Sequence, residues 1–280
     1  MNYRTILVHV NKSGNAAERF RLAAELADRE RAHLVGAALT GVPRYMYSGS
    51  MFEGSGVMIS DYLQHAGKSA DDALALFDEV IRKAGTDSVE RRKHEQDEYS
   101  GLCLQARYAD LVVLGQANPN DSGDGALMRD LPEYVALNCG RPVLVVPYAG
   151  QFPTLDRRPL IAWNGSTEAA RAVTAALPLL RRASKVTVAI FDPKPGYDAH
   201  GEEPGADIAL YLARHGIAVE VTVNPGSIDV GNAILSLAAN IDADLLVMGC
   251  YGHSRFREMM LGGASRTVLA TMTLPVLLAH

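Results

Sequence analysis

The sequence predicts an α/β chain built as two copies of one doubly wound, parallel-sheet domain. Three observations carry that reading. Three sequence blocks recur in the same order in the two halves. Within the second half, where the pattern is clearest, short apolar runs alternate with stretches of helical periodicity, the signature of β-α units and a parallel sheet covered on both faces. The length of 280 residues also suits two domains of ordinary size, each with its own core.

The first block is Ile6-Leu7-Val8-His9-Val10-Asn11-Lys12-Ser13, matched by Leu160-Ile161-Ala162-Trp163-Asn164-Gly165-Ser166, so that Asn11 and Ser13 align with Asn164 and Ser166. The second is Ala109-Asp110-Leu111-Val112-Val113-Leu114-Gly115, matched by Ala243-Asp244-Leu245-Leu246-Val247-Met248-Gly249. The third is Arg141-Pro142-Val143-Leu144-Val145-Val146, matched by Leu274-Pro275-Val276-Leu277-Leu278. The order marks a tandem duplication. The predicted domains are residues 1–148 and 156–280, with a linker near 148–158 punctuated by Pro147, Gly150 and Pro153.

In the second copy, 159–163 reads as a buried strand and 167–183 as a helix kinked at Pro178. Residues 186–191 form a strand and 192–204 a loop rich in Pro and Gly. Residues 206–215 form a helix closed by Gly216, a residue suited to the left-handed cap position. A strand at 219–223 precedes a helix at 228–240, with Ser227 as N-cap. The strand at 245–248, a Gly-rich segment, a helix starting near Gly263 and a strand at 275–278 complete the copy. The first copy is longer, and its surplus falls between residues 41 and 68, which read as a surface excursion. Tyr45, Met46, Tyr47, Met51, Phe52 and Met58 there are expected to fold back over the core as a lid. Glu90 to Glu98 reads as a solvated strand and helix start of mixed charge.

Composition excludes several classes. Lys and Arg number 27 against 32 Asp and Glu, a formal charge of −5, which speaks against a nucleic-acid binder. No apolar run approaches the roughly 18 residues of a membrane helix, and the opening residues lack a secretory pattern. The three cysteines, Cys103, Cys139 and Cys250, form no Cys-x-x-Cys pair, so neither a disulfide framework nor a thiolate zinc site is indicated. All three are expected to pack as core. His9, His33 and His280 have no spaced ligand partners, and no metal site is expected. A cytoplasmic protein free of membrane and nucleic acid is the expectation. Nucleophile elbow, zinc-protease, dinucleotide and P-loop fingerprints are all lacking, so no catalytic residue is assigned.

The most informative segment follows the fourth strand of the second copy. It reads Gly249-Cys250-Tyr251-Gly252, then nine residues, then Gly262-Gly263-Ala264-Ser265 entering a helix. Glycines let backbone N–H groups approach an anion closely, and a helix start presents unpaired donors with its positive dipole end. His253, Arg255 and Arg257 make the intervening loop basic, and Ser265 offers a hydroxyl. This spacing reads as a phosphate cradle. The corresponding loop of the first copy lacks the second glycine and carries Asp121, Asp124 and Asp130, which would repel phosphate.

With these residues in view, the chain resembles the universal stress protein family across both halves, in its tandem form. The resemblance implies a sheet ordered 3-2-1-4-5, of the adenine nucleotide alpha hydrolase-like type. It also implies ATP or AMP bound between the ends of the first and fourth strands, and pairing through the fifth strands. Here 143–146 and 276–278 would pair within one chain, giving a pseudo-two-fold. The family's phosphate glycines match Gly249, Gly252 and Gly262. The next position, normally Ser or Thr, is Gly263, and Ser265 matches the small hydroxyl residue. The acidic residue of the first strand is Asn164 here, and Asn11 in the first copy; an amide still hydrogen-bonds a ribose or adenine but is a poorer cation ligand, which leaves Mg undecided. Val188 would lie along the adenine face, and Gly165, Ser166, Met248, His253 and Arg255 complete the implied site. The resemblance implies a stress-response role based on binding, with slow hydrolysis left open, unidentified protein partners, and a homodimer. An interaction protein that binds no nucleotide is the alternative from another class.

Overall fold

A computed structural model describes residues 2–43, 55–120, 128–193, 203–224, 229–250 and 263–280. The chain divides into two compact units, Tyr3–Arg141 and Pro142–His280 with Met1–Asn2.

In the unit Tyr3–Arg141 the order is β1 (Thr5–His9), α1 (Ala16–Glu30), β2 (His33–Leu39), α2 (Ser55–Ala84), β3 (Val89–His94), α3 (Glu98–Ala106), β4 (Leu111–Gly115) and α4 (Leu131–Asn138). The strands lie in the order β3-β2-β1-β4, all parallel. Ile6 sits opposite Leu111 and Leu34 opposite Val89. Leu111 to Leu114 are buried without alternation, as expected of a strand covered on both faces. The edge strand β3 instead exposes Arg91 and Lys93, charges that discourage pairing with another chain.

Helix α1 buries Phe20, Ala23, Ala24 and Ala27 on one face, the spacing of a helix stripe. Phe20 meets Phe77 of α2 edge-on, with ring centroids 5.4 Å apart. The Phe77 ring lies so close to β2 that a Cβ on Gly36 would come within 2.7 Å of it. That contact requires glycine in the strand.

The surface excursion expected at 41–68 is corrected in its second part. Residues 55–68 begin the 30-residue helix α2, which runs to Ala84. The Gly, Ser and Met composition masked a helix whose stability comes from packing its later turns, Ala73, Leu74, Phe77 and Ile81, against the core. The lid residues Tyr45, Met46, Tyr47, Met51 and Phe52 lie outside the described residues.

The second unit contains β5 (Val143–Val146), β6 (Pro159–Ala162), α5 (Thr167–Leu180), β7 (Val186–Phe191), α6 (Ala206–Arg214), β8 (Val219–Asn224), α7 (Val230–Asn240), β9 (Leu245–Gly249), α8 (Ala264–Thr271) and β10 (Val276–Ala279). Its strand order is β5-β10-β9-β6-β7-β8. The last five give the expected 3-2-1-4-5 arrangement. β5 pairs antiparallel with β10, placing Leu144 opposite Leu277 and Val143 opposite Leu278.

Several boundaries move. Helix α5 ends at Leu180, with Pro178 in its last turn. Gly216 takes the left-handed conformation expected of it, at φ 76°. Ser227 lies outside the described residues, and the N-cap of α7 is Asp229, whose carboxylate accepts from the Asn232 N–H at 3.1 Å. An aspartate serves this position as well as a serine.

Among the described residues no helix is long and apolar enough to cross a membrane. No cluster of three or more His, Cys, Asp or Glu among them is arranged to hold a metal.

Candidate functional site

In the second unit the strand order turns back between β6 and β9, which run in parallel with Ala162 opposite Met248. The segments leaving these strands therefore emerge side by side at their carboxyl ends, the usual ligand position in an open α/β sheet. From β6 come Asn164, Gly165 and Ser166. Asn164 Oδ1 accepts from the Ser166 N–H at 3.1 Å, and Ser166 Oγ accepts from the Ala169 N–H at 3.1 Å. Gly165 between them adopts φ 74°, a left-handed conformation that favours glycine. The result is a turn that delivers the chain into α5 with the Ser166 and Ala169 N–H groups satisfied.

From β9 comes Gly249. A Cβ there would lie 2.4 Å from the Ala169 nitrogen and 2.6 Å from the Glu168 carbonyl carbon. The missing side chain thus admits the first turn of α5 against the strand. Met248 is buried in β9, and Val188 is fully buried in β7. Cys250 is fully buried, with its N–H bonded to the Ala279 carbonyl at 2.9 Å; it packs as the small hydrophobe expected. Gly263 caps α8 without a side-chain hydrogen bond, and Ser265 is buried in the first turn of that helix. Gly252, His253, Arg255, Arg257 and Gly262 lie outside the described residues.

The equivalent strand ends in the first unit line an open-mouthed pocket of about 170 Å³. His9 ends β1 and is 2% exposed, and its Nε2 lies 3.6 Å from Oε1 of Glu98 at the start of α3. Arg19 of α1 is also buried. Its Nη1 donates to Ser13 Oγ at 2.8 Å and its Nη2 to Asn11 Oδ1 at 2.6 Å. Burial pushes the Arg19 guanidinium down to about 10, with the Glu98 carboxylate acting in the opposite direction. A Cβ on Gly115 would come within 2.3 Å of Arg19 Nη1. The guanidinium therefore lies over the end of β4.

The sequence reading placed Glu98 in a solvated segment, and the structure corrects that. β3 is exposed as expected, but Glu98 turns inward to the cavity, with a side chain only 15% exposed. The available signal was Arg19 itself, which falls on the stripe of α1 marked by Ala16, Phe20 and Ala23. A charge in a core position implies buried partners. Of the three acidic loop residues expected to repel phosphate, Asp121 and Asp124 lie outside the described residues. Asp130 precedes α4 and accepts from the Tyr99 hydroxyl at 2.6 Å.

Comparison with known proteins agrees with the duplicated architecture. The model of the universal stress protein family matches residues 2–147 and again residues 157–280. Universal stress protein Slr1230 of Synechocystis sp. is 28% identical over 215 residues, which cover 73% of this chain and 69% of that protein. A universal stress protein from Archaeoglobus fulgidus superposes with a TM-score of 0.75 at 17% identity, covering 98% of this chain and 95% of that one. A functionally unknown protein from Pseudomonas aeruginosa gives 0.56 at 17% identity, with 99% and 92% covered. Likeness at that identity shows the fold alone. The repeated family match over nearly the whole length shows more: the chain belongs to the universal stress protein family, in its tandem two-domain form.

Proposed function

We propose that this protein binds an adenine nucleotide, ATP or AMP, in its second unit and uses that binding in a regulatory or protective stress response. The observation that supports the reading most is the meeting, at the reversal of strand order, of the Asn164-Gly165-Ser166 turn after β6 and Gly249 at the end of β9. The glycine-led start of α8 at Gly263 follows them in sequence. A helix start without a side-chain cap suits an anion. The basic loop with Gly252, His253, Arg255 and Gly262 joins the last two segments in sequence and completes the proposed phosphate seat.

Asn164 limits the mode of binding. Its Oδ1 is already an acceptor in the local turn, so the amide nitrogen is its contribution to a ligand, as a donor to ribose or base. A divalent cation gains little from it, and we place no Mg ligand there. The same observation favours the second reading, a protein that binds partners and no nucleotide.

Denaturing release from freshly purified protein, followed by mass spectrometry, separates the two. ATP or AMP near one per chain, lost in Gly252→Val, is the expected result. An empty parent that also shows no thermal shift with added ATP or AMP overturns the nucleotide reading in favour of the partner-binding one.

A further inference from the structure

We propose that Cys103 and Cys139 of the first unit form a two-coordinate dithiolate site for a soft monovalent cation of the Cu(I) or Ag(I) type. Cys103 lies within α3, and Cys139 directly follows α4. These helices pack side by side and in step. Tyr99 meets Tyr134 edge-on with ring centroids 5.1 Å apart, and the Tyr99 hydroxyl donates to Asp130 at 2.6 Å. Beyond the other end of the pair, Arg141 Nη2 donates to the Arg107 carbonyl at 2.9 Å. Cys103 sits about one turn from Tyr99 and about one turn from Arg107, and Cys139 falls between Tyr134 and Arg141. The two contacts therefore bracket the thiols and bring them to the same level of the helix pair. Both are free, Cys103 half-buried and Cys139 buried. Burial raises both thiols, and the next influence on Cys103, ahead of Arg107 and Asp97, is the charge of Cys139. The sulfurs are near neighbours. Neither cysteine lines the pocket at the strand ends, so this site is separate from it.

Their chemistry describes the occupant. Thiolates are soft ligands that select Cu(I) over hard cations. Zinc takes four ligands in a structural site, and no cluster of three or more His, Cys, Asp or Glu among the described residues is arranged to supply them. Two thiolates around a monovalent cation leave one negative charge. Against the effect of burial, Arg107 acts on Cys103 towards the thiolate, and the Arg141 N–H and guanidinium act on Cys139 in the same direction. The anionic complex thus has a cation beside each sulfur. Cys139 Sγ donates to the Arg141 carbonyl at 3.3 Å and accepts from the Arg141 N–H at 3.4 Å. The second bond survives when the metal replaces the thiol proton, and it holds the sulfur in place. In the binding step two S–H bonds break, two S–metal bonds form, both protons pass to solvent, and no electron is transferred.

The test loads the reduced full chain with Cu(I) without oxygen and titrates it with the chelator bathocuproine disulfonate. One Cu(I) per chain should be retained against the chelator, and X-ray absorption should show two sulfur neighbours. Retention should weaken about a hundredfold for each pH unit lost, because two protons compete with each metal ion. Cu(I) should raise the thermal midpoint of the parent and leave that of Cys103→Ala unchanged. Cys103→Ala and Cys139→Ala should each abolish retention; Cys103, the less buried thiol, carries the test if Cys139→Ala does not fold. Retention by Cys103→Ala places the metal elsewhere and overturns the proposal. So does an affinity that falls only about tenfold per pH unit, the mark of a single thiolate. A parent that yields Cu(I) as readily as Cys103→Ala overturns it in favour of thiols that serve packing alone.

Discussion

Asp244 accepts a hydrogen bond from the backbone N–H of Arg158 at 2.9 Å, tying the residue before β9 to the residue before β6. The same carboxylate accepts from the Arg157 N–H at 2.8 Å and from Thr154 Oγ1 at 2.7 Å. In the first unit Asp110 holds the Arg4 and Thr5 N–H groups at 2.7 and 3.0 Å. The recurring Ala-Asp-Leu block therefore encodes a clamp between the starts of two neighbouring strands, far apart in sequence. Asp244→Ala should lower the stability of the second unit by about 2 kcal/mol, since it leaves backbone donors without their charged acceptor. Asp244→Asn should cost less. Urea unfolding followed by the fluorescence of Trp163, the single tryptophan of the chain, reads both.

The two strand-end glycines should respond differently to alanine. At Gly249 the new Cβ meets backbone atoms of α5, which cannot move without lifting the helix off the sheet; a loss of about 1–3 kcal/mol is expected, as for other overpacked cores. At Gly115 it meets the tip of Arg19, which can withdraw at the expense of its bonds to Asn11 and Ser13. Gly115→Ala should therefore be the milder change in overall stability. Thermal unfolding of the pair checks it.

Ser166 is the N-cap of α5. Ser166→Ala should cost about 1 kcal/mol, and Ser166→Asp should restore most of it, because either side-chain oxygen accepts from the first turn. Urea unfolding of the three proteins decides the matter. A change as large in Ser166→Asp as in Ser166→Ala would show that the cap bond is not the cause.

The thiols of the first unit should be inert at neutral pH. Burial pushes the Cys103 thiol up to about 11 from its ordinary 9.0, and burial likewise raises Cys139. Iodoacetamide at pH 8 should modify both far more slowly in the folded chain than in urea, because the thiolate is the reactive form. The linkage runs the same way. The neutral thiol is favoured by the fold, so Cys103 contributes stability that is fully present below pH 9 and is lost as pH rises towards 11, where the unfolded thiol ionises first. A Cys103→Ala variant should show a shallower decline across that window.

Much of the architecture was legible because it rests on local pattern. Val186 to Phe191 alternates β-branched and small residues and forms a strand with those bounds. The repeated blocks fix which strands share a position in the sheet. The long α2 was partly missed, since its first turns have no strong apolar stripe of their own and the later turns supply the packing. The cavity in the first unit was missed for another reason. His9, Arg19 and Glu98 are separated by up to 89 positions in sequence, and only the parallel order of β2, β1 and β4 brings them together. Each looked ordinary alone, His9 as a strand residue and Glu98 as one charge in a mixed run. Gly249 was read as a glycine that lets an anion approach, whereas the structure shows the α5 backbone leaving no room for a side chain there.

The antiparallel seam between β5 and β10 has a kinetic meaning. Both strands belong to one covalent chain, so their encounter is a first-order event whose extent does not fall on dilution. A pairing between separate molecules would depend on how many of them the cell makes, whereas a tethered one depends only on the span and stiffness of the intervening chain. The backbone groups along that edge are consequently satisfied at every concentration, and this seam needs no second copy to form.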